Sequence, residues 1–461
     1  MKPNSSSLLA VSLLSLSFGC AADPHGGDDA GTAAVADADA DTDSDSDSDA
    51  DGDIDADTDT DVDSDADADT DTGVPIGELV IEQIYFPGMT MGEATLVVGP
   101  DGTSVLIDTA NDSQSAEVFE AVERRVGARV VDWVVVTHYH NDHIGGFDNL
   151  FVASAVNGDD PLVVTRGVVT RGFVDVASDT AGVADFLELC GVLADAAWAD
   201  RRFDLCGAPD DMPCGGDADG VPWPAAECDG LLRGDLSDPA DDASGALTYL
   251  PLGEGARLYL YQAEARAAAD GAVVSAEADG LSVGEGGEEP ENARSVGGAL
   301  RWGDFTWTFN GDTTAAAPEM EGWLAGLGDG ITTAASGSPL VPAGDADVVH
   351  LGHHGLDSAT GQAWVDWLLP DDGRDRNAEV GNTAMYYRSP AQEVLDRVGP
   401  RVGGGFIWAN TLGILPGSHE RLVDAEGALV IRVADGGASY SMSVWKDGAE
   451  SGTVEFTSTV P

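Results

Sequence analysis

The sequence predicts an α/β protein in which two facing mixed sheets are covered by helices. The first observation is that residues 78–136 alternate apolar strand runs with one amphipathic helix and then enter a histidine-rich loop. The second is that the chain after residue 256 repeats this texture of short strands and helices. Two β-rich halves with interspersed helices bury their apolar faces when two sheets face each other and helices cover the outside.

The elements of the first half follow from periodicity and turn residues. Strands are predicted at Glu78–Tyr85, Ala94–Val98, Ser104–Asp108 and Val130–Val136. Gly99-Pro100-Asp101-Gly102 is a tight turn, so the second and third strands form a hairpin. The apolar stripe of Ala116, Phe119, Ala121 and Val122 predicts a helix over Ser113–Val126.

The second half contains eight predicted strands and three predicted helices. The strands are Arg257–Gln262, Gly298–Trp302, Phe305–Phe309, Asp347–Leu351, Thr383–Tyr387, Phe406–Ala409, Ala428–Val433 and Tyr440–Trp445. The helices are Pro318–Ala325, Gly361–Leu368 and Ser389–Val398.

A histidine cluster follows the strand that ends at Val136. The chain has only eight histidines, yet three of them fall in the run His138-x-His140-x-Asp142-His143. Two imidazoles two residues apart can share one metal ion, while the following carboxylate and imidazole point to a neighbouring position. Nitrogen and oxygen donors of this kind suit zinc. A polar loop with local hydrogen bonds is the alternative, and this spacing of four donors disfavours it.

Two later strand ends add further candidate ligands. Asp312 follows the strand Phe305–Phe309 and is a candidate bridging carboxylate between two metal ions. His353 and His354 follow the strand Asp347–Leu351 and can close the second metal site. Neighbouring residues on an extended segment point in opposite directions, so we expect one to be a ligand, preferably His354, and the other to face the substrate or support a ligand.

These motifs together resemble the metallo-β-lactamase superfamily, and within it the metallohydrolase domain of ComEC-type competence proteins and their secreted relatives. The resemblance covers roughly residues 78–435, including Asp108, Asn292 and Ser295, and Ser389–Leu395. It implies a metallo-β-lactamase-type αββα sandwich with two Zn²⁺ ions, Mn²⁺ being the alternative. It also implies hydrolysis by a dinuclear metal-bound hydroxide, with Asp142 holding the second ion and orienting the nucleophile.

The chain departs from the superfamily pattern at two places. Leu356 follows the late histidine pair where the pattern has Ser, and Ser358 comes two residues later. No histidine lies between His143 and His350. The first metal ion would therefore rest on His138, His140, Asp312 and water or an unidentified ligand. For Asp108 two roles stay open: orienting the histidine loop, or capping the segment after its strand.

The N-terminal region predicts export. Lys2, an apolar stretch over residues 8–18 and Gly19-Cys20 form a signal peptide over residues 1–20. A Cys after a small residue at this point is typical of a bacterial lipoprotein, so Cys20 is a candidate lipid anchor; ordinary cleavage is the alternative. We expect a periplasmic or cell-surface protein that meets a membrane only through this anchor.

Residues 21–76 predict a disordered, Asp-rich tether. Every odd position from Asp37 to Asp71 is Asp, and like charges two residues apart repel and leave nothing to bury. Weak Ca²⁺ binding is the alternative, because Asp47, Asp49, Asp51 and Gly52 match the opening of a calcium loop, but its twelfth position is Thr58 rather than Glu.

Residues 77–461 form the predicted hydrolase domain, with a cysteine-containing insertion at about 180–245. Its four cysteines are Cys190, Cys206, Cys214 and Cys228. In an exported protein an even number indicates two disulfides, and the sequence leaves the three pairings open. We expect this segment to be loop-rich and near the mouth of the site.

Charge bears on the substrate. The resemblance implies a phosphodiester, in a small molecule or a phosphorylated polymer. The formal net charge is −62, and without the tether acidic residues still outnumber Lys and Arg about threefold, which disfavours nucleic acid. A basic groove would need arginines, namely Arg294, Arg301, Arg388, Arg397 and Arg401. Hydrolysis of a lactone, ester or β-lactam at the same site is the alternative activity, and a surface binding protein with a vestigial site is the alternative from another class.

Overall fold

The fold is two mixed β-sheets with helices on their outer faces. The computed structural model describes residues 77–88, 91–154, 158, 160–172, 183–195, 198, 201–206, 228–238, 245–283, 288–315, 319–333, 337, 339–341, 346–381 and 388–458. The signal peptide, Cys20, the tether, Cys214 and the predicted strand Thr383–Tyr387 lie outside these residues. No helix in the described part of the chain is long and apolar enough to cross a membrane.

The strands are numbered in chain order. They are β1 (Leu79–Gln83), β2 (Thr95–Val98), β3 (Ser104–Ile107), β4 (Val130–Val135), β5 (Val163–Gly172), β6 (Arg202–Cys206), β7 (Tyr249–Pro251), β8 (Arg257–Ala263), β9 (Arg266–Ala269), β10 (Ala272–Ser275), β11 (Gly297–Trp302), β12 (Phe305–Phe309), β13 (Val348–His350), β14 (Asn377–Val380), β15 (Ile407–Ala409), β16 (Leu422–Asp424), β17 (Ala428–Ala434), β18 (Ser439–Lys446) and β19 (Ala449–Thr457).

The α-helices are numbered in the same way. They are α1 (Ser115–Val126), α2 (Asn141–Ile144), α3 (Phe147–Phe151), α4 (Val183–Leu193), α5 (Glu288–Asn292), α6 (Met320–Leu327), α7 (Gln362–Leu368) and α8 (Gln392–Val398). Short 3₁₀ turns occur as well, including one over His353–Gly355.

Each sheet has an antiparallel part and a parallel part. The first sheet has the order β19-β18-β17-β1-β2-β3-β4-β5-β6, and its pairs are parallel from β3 onward. The second has the order β10-β9-β8-β11-β12-β13-β14-β15-β16, parallel from β12 onward, with β7 paired to β8. This architecture confirms the predicted α/β class with two mixed sheets and helices, of the metallo-β-lactamase type.

Successive side chains along a strand point to opposite faces of the sheet and so belong to two different hydrophobic cores. In β2, Val97 joins the large cluster that includes residues of both sheets, whereas Leu96 and Val98 pack toward the helices. Val118 of α1 and Leu189 of α4 belong to this second cluster. One face of the first sheet therefore meets the second sheet and the other is covered by helices, as the period of two in a strand requires.

The segment around the cysteines is more regular than the sequence indicated. Within the predicted insertion, α4 packs on the first sheet and β6 forms its edge strand, because Leu189 and the β5–β6 pairing bury apolar surface. A disulfide joins Cys206 and Cys228. Cys190 is also disulfide-bonded. Residues 207–227 and 239–244 of this segment lie outside the described residues.

Candidate metal centre

The predicted ligands meet at one end of the sandwich. His138 lies beyond the end of β4 in the first sheet, whereas Asp312 and His354 follow β12 and β13 in the second. These three strands belong to the parallel parts of the sheets. In open α/β sheets, functional loops gather at the carboxyl ends of parallel strands.

The first donor set consists of His138, His140 and Asp312. One ligand atom of each residue lies within 4.8 Å of the others. His138 Nε2 is 3.1 Å from His140 Nδ1 and 3.7 Å from Asp312 Oδ2. His138 is fully buried and His140 is partly exposed. The structure thus brings together the three ligands expected for the first ion, and among the described residues it adds no fourth member to this set.

The second donor set consists of Asp142, His143, Asp312 and His354. His143 Nε2 lies 3.4 Å from Asp312 Oδ1, and His354 Nε2 lies 3.2 Å from Asp142 Oδ2. Asp312 therefore directs one carboxylate oxygen to each set. The structure also brings in Glu93, because ligand atoms of Glu93, His143, Asp312 and His354 all lie within 4.8 Å of one another.

The chemistry of the two donor sets fits a pair of divalent transition-metal ions. Imidazole nitrogens and carboxylate oxygens are the ligands of zinc and also suit manganese and iron. Asp312 and His143 are nearly inaccessible to solvent. Buried ionisable groups at such spacing are stable when they are paired or bind a metal, so their burial supports this fit.

Without a metal ion, electrostatics in the second donor set favours the charged forms of Asp142 and His143. Burial by itself raises the pKa of Asp142, but the hydrogen bond with His354 and the nearby His143 outweigh it and hold the pKa below its usual value. Burial lowers the pKa of His143, but Asp312 and Asp108 outweigh it and raise that pKa well above its usual value. Mutual attraction between imidazoles and carboxylates therefore dominates this pocket.

Asp108 holds the histidine loop from behind. Its Oδ1 accepts a hydrogen bond from Thr137 N at 2.7 Å, and its Oδ2 accepts one from Thr137 Oγ1 at 2.7 Å. The same Oδ2 is 2.8 Å from His143 Nδ1. Asp108 has a φ of 60°, a left-handed conformation that Asp tolerates better than most residues. Of the two roles left open for Asp108, the structure thus favours orienting the loop.

His353 and His354 both lie near Asp312 but differ in their other partners, and the segment that carries them is not extended. Both have φ near 50°, within a tight 3₁₀ turn, which differs from the extended conformation expected. His354 enters the second donor set, whereas His353 Nδ1 lies 2.6 Å from Ser358 Oγ. Ser358, although two residues later than the Ser of the superfamily pattern, therefore contacts the first histidine of the pair, His353.

The loop that carries His138 and His140 is also held through its backbone. Tyr139 N donates to Glu291 Oε1 at 2.9 Å, and Glu291 forms a buried ion pair with Arg171 at 2.6 Å. The guanidinium of Arg171 lies over the Tyr139 ring. This buried pair fixes the position of the loop between its two histidines.

A cleft of about 630 Å³ opens beside the metal centre. Its lining includes His353, Ser358, Arg388 and the apolar residues Leu356 and Leu415. Leu415 is 63% exposed. Of the predicted ligands, only His353 lines this cleft, so His353 is placed between the metal centre and the space available to a substrate.

Sequence patterns did not predict a role for Glu93, His350 or Glu379. Each is buried, and the His350 imidazole lies between the two carboxylates. Burial lowers the pKa of His350, but Glu93 and Glu379 outweigh it and raise the pKa to about 10. The only available signal was that these polar residues interrupt apolar runs, and that pattern does not tell which residues meet.

Comparison with known families agrees with this geometry. Residues 88–157, which include the His138–His143 run, match the family model of the metallo-beta-lactamase superfamily. This match covers residues 88–157 and, with the two-sheet architecture, supports the superfamily resemblance predicted from the sequence. The narrower resemblance to ComEC-type proteins stays a prediction. No curated protein sequence matches the chain significantly.

Several solved structures show similarity. CmlA, a diiron beta-hydroxylase from Streptomyces venezuelae, has 13% identity and a TM-score of 0.34 over 75% of this chain and 53% of its own. The metallo-beta-lactamase SMB-1 has 13% identity and a TM-score of 0.25, covering 62% of this chain and 82% of its own. MEM-A1, a subclass B3 metallo-beta-lactamase from a soil metagenome library, has 12% identity and a TM-score of 0.23, covering 62% and 81%. The chain thus spans about half the length of CmlA.

Proposed function

We propose that the protein is an exported, metal-dependent hydrolase that uses a dinuclear centre on phosphodiester substrates. The observation that carries this proposal is the position of Asp312. Its Oδ2 faces His138 and its Oδ1 faces His143, so one carboxylate can bridge two ions. We further propose zinc as the metal, with manganese as the alternative.

Some residues of the site would bind the metal ions, and others would orient the attacking group and the substrate. Two bound ions would make water nucleophilic near neutral pH and polarise the oxygen of a phosphoryl or acyl group. Asp142, fixed by His354 Nε2 at 3.2 Å, holds a negative oxygen at the centre and orients the attacking group. His353 lines the cleft and donates or accepts a hydrogen bond at the substrate, its ring fixed through Nδ1 by Ser358.

The cleft supports a substrate with few negative charges. Among the five arginines considered for a basic groove, Arg388 lines this cleft. Arg397 donates to the Thr360 carbonyl, and Arg401 pairs with Asp366 at 2.5 Å. Arg294 lies 3.5 Å from Glu264, and Arg301 donates to the Leu340 carbonyl.

One cleft arginine can bind a single phosphodiester group, while Asp357 and Glu393, which also line the cleft, repel a polyanion. A small phosphodiester or one unit of a phosphorylated polymer therefore fits better than nucleic acid.

The test is a substrate panel with purified residues 77–461. Protein loaded with Zn²⁺ or Mn²⁺ is assayed against bis-p-nitrophenyl phosphate, DNA and a lactone, and metal-stripped protein is the control. Elemental analysis of the same sample measures zinc, manganese and iron. We expect metal-dependent cleavage of the aryl phosphodiester above that of DNA. Cleavage of the lactone alone would replace the proposed activity, and bound metal without any turnover would favour a binding protein with a vestigial site.

The N-terminal segment supports the proposed location. The residues from Lys2 to Cys20 have the composition of a lipoprotein signal, and the Asp-rich segment after it would extend as a tether. Mass spectrometry of the mature N-terminus from a bacterial host tests this. A lipid-modified Cys20 is expected, whereas an unmodified N-terminus downstream would indicate ordinary cleavage.

A further inference from the structure

Glu93 connects the metal centre to the interior of the sandwich. It precedes β2 in the first sheet and is 6% exposed. Its Oε2 lies 3.2 Å from His354 Nδ1, the imidazole nitrogen opposite the one that faces Asp142. Glu93 N also donates to the Asp142 carbonyl at 2.9 Å. Glu93 thus contacts the side chain of one predicted ligand, His354, and the backbone of another, Asp142.

His350 continues this contact away from the site. Its Nε2 forms an ion pair with Glu93 Oε1, and its Nδ1 lies 3.5 Å from Glu379 Oε1. Trp307 Nε1 donates to the same Glu379 oxygen at 2.7 Å. The sequence of groups is therefore imidazole, carboxylate, imidazole, carboxylate and indole, running from His354 to Trp307.

The register of the strands fixes the inner members of this series of contacting side chains. His350 in β13 and Glu379 in β14 are direct partners in the parallel ladder of the second sheet. Trp307 lies in β12, which pairs with β13. Glu93 reaches them from the first sheet, so this series of contacting side chains extends from one sheet to the other. Its members cannot move independently, because three of them are fixed by one ladder.

We propose that Glu93, His350 and Glu379 form a buried chain that positions the His354 imidazole for the second metal ion. This inference rests on the proposed metal-dependent function. A carboxylate that accepts the Nδ1 proton of His354 leaves the Nε2 lone pair directed at the ion and fixes the ring orientation. Glu93 is a positioning residue here, and His350 and Glu379 hold Glu93 in place.

Burial explains why a chain is needed. An isolated carboxylate between the sheets would be strongly destabilised, and a partner on only one of its oxygens would leave the other free to turn. Glu93 has one oxygen against each of two histidines. These two contacts restrain the plane of the carboxylate and keep its Oε2 beside His354 Nδ1.

The test compares three substitutions that each replace a buried Glu by Gln. Glu93→Gln and Glu379→Gln alter the chain. Glu82→Gln is the matched control, because Glu82 is fully buried and paired with Arg125 at 2.5 Å on β1, outside the chain. Affinity for the Zn²⁺ ion of the second donor set, the more tightly bound of the two, is measured by chelator competition, the d–d spectrum by titration with Co²⁺, and stability by melting of metal-free protein.

We expect Glu93→Gln to lower the affinity of the second donor set for Zn²⁺ by about 10- to 100-fold, the range for residues that orient ligands. Glu379→Gln should lower this affinity by a smaller factor and shift the Co²⁺ spectrum in the same direction as Glu93→Gln does. Glu82→Gln should lower the melting temperature without changing either metal readout. Unchanged affinity in both chain variants would overturn the proposal. So would complete loss of the ion in Glu93→Gln with no effect of Glu379→Gln, because Glu93 would then be a direct ligand.

A measurement that does not depend on turnover separates this inference from the proposed function. NMR of ¹⁵N-histidine protein loaded with Zn²⁺, with His354→Ala for assignment, reports which nitrogen of His354 carries the proton. We expect Nδ1–H in the native protein and faster exchange of this proton with water in Glu93→Gln. If the native protein shows Nδ1–H and binds metal but hydrolyses nothing, the positioning chain stands and the hydrolase proposal fails. If His354 has the opposite tautomer, the chain is overturned whatever the activity.

Discussion

The two donor sets share Asp312 but are supported in different ways. In the second set, His143 has Asp108 on its Nδ1 and His354 has Glu93 on its Nδ1. In the first set, Nδ1 of His138 contacts the neutral Thr137 hydroxyl at 3.1 Å. Carboxylate partners make an imidazole more basic and fix its ring, whereas a hydroxyl does so more weakly.

The first set is instead supported through its backbone. Glu291 accepts a hydrogen bond from Tyr139 N, between His138 and His140, and is itself paired with Arg171. This places the loop through its backbone, whereas the His138 ring contacts a hydroxyl rather than a carboxylate at its Nδ1. We therefore expect the second set to bind its ion more tightly, and the first ion to be the one lost on dilution or mild chelation.

The largest effect is expected for Asp312→Asn, because both sets depend on this residue. Asn keeps the size but removes the charge that offsets two cations and one of the two acceptor oxygens. Both ions should be lost at micromolar metal, and hydrolysis should fall by several orders of magnitude while the fold survives. Metal content, melting and turnover are measured on one sample. Full occupancy with retained turnover would remove Asp312 from the centre.

Next in size is the contrast between His354→Ala and His140→Ala, which remove one ligand from each set. If the second set is the stronger, His140→Ala should leave about one ion per chain, and His354→Ala should leave less than one. Elemental analysis after dialysis gives both values. Equal losses in the two variants would show that carboxylate support of the imidazoles does not distinguish the sets.

A smaller effect on metal affinity is expected for residues that contact a ligand indirectly. Asp108 contacts the His143 ring, whereas Glu291 accepts a hydrogen bond from the backbone of the histidine loop. Asp108→Asn weakens the contact with His143 and should reduce affinity for the second ion by about 10- to 100-fold. Glu291→Gln weakens the buried contacts with Arg171 and Tyr139 and should lower stability by about 1–3 kcal/mol. Its effect on metal affinity should be the smaller of the two. Chelator titration and urea unfolding of both variants check this, and a reversed order of affinities would contradict it.

The smallest effect is expected for deletion of residues 24–72. The Asp-rich segment has almost no apolar residues with which to dock on the domain, so melting temperature and turnover should stay nearly unchanged. Metal content is measured alongside, because the first set has three members among the described residues. Loss of an ion on deletion would show that an Asp of this segment completes the first set or that the segment binds a structural ion.

The sequence alone was sufficient for the elements with strong local patterns. The helix predicted over Ser113–Val126 appears as α1, and the strand predicted over Val130–Val136 appears as β4. Periodicity was weaker for β5 and β6, which the sequence did not predict. A strand such as β5, buried over most of its length, lacks the alternation that identifies a strand exposed on one face.

What the sequence determined by itself was the histidine run and the strand-end positions of Asp312 and His354, because ligands a few residues apart, or at the ends of parallel strands, are encoded locally. Only the tertiary structure decided that His354 rather than His353 enters the second donor set, because two consecutive residues with positive φ turn the side chains apart. It alone brought Glu93 to His350 and Glu379. Those contacts cross between two sheets, and the alignment of one sheet on the other depends on packing of the whole core, which no local pattern contains.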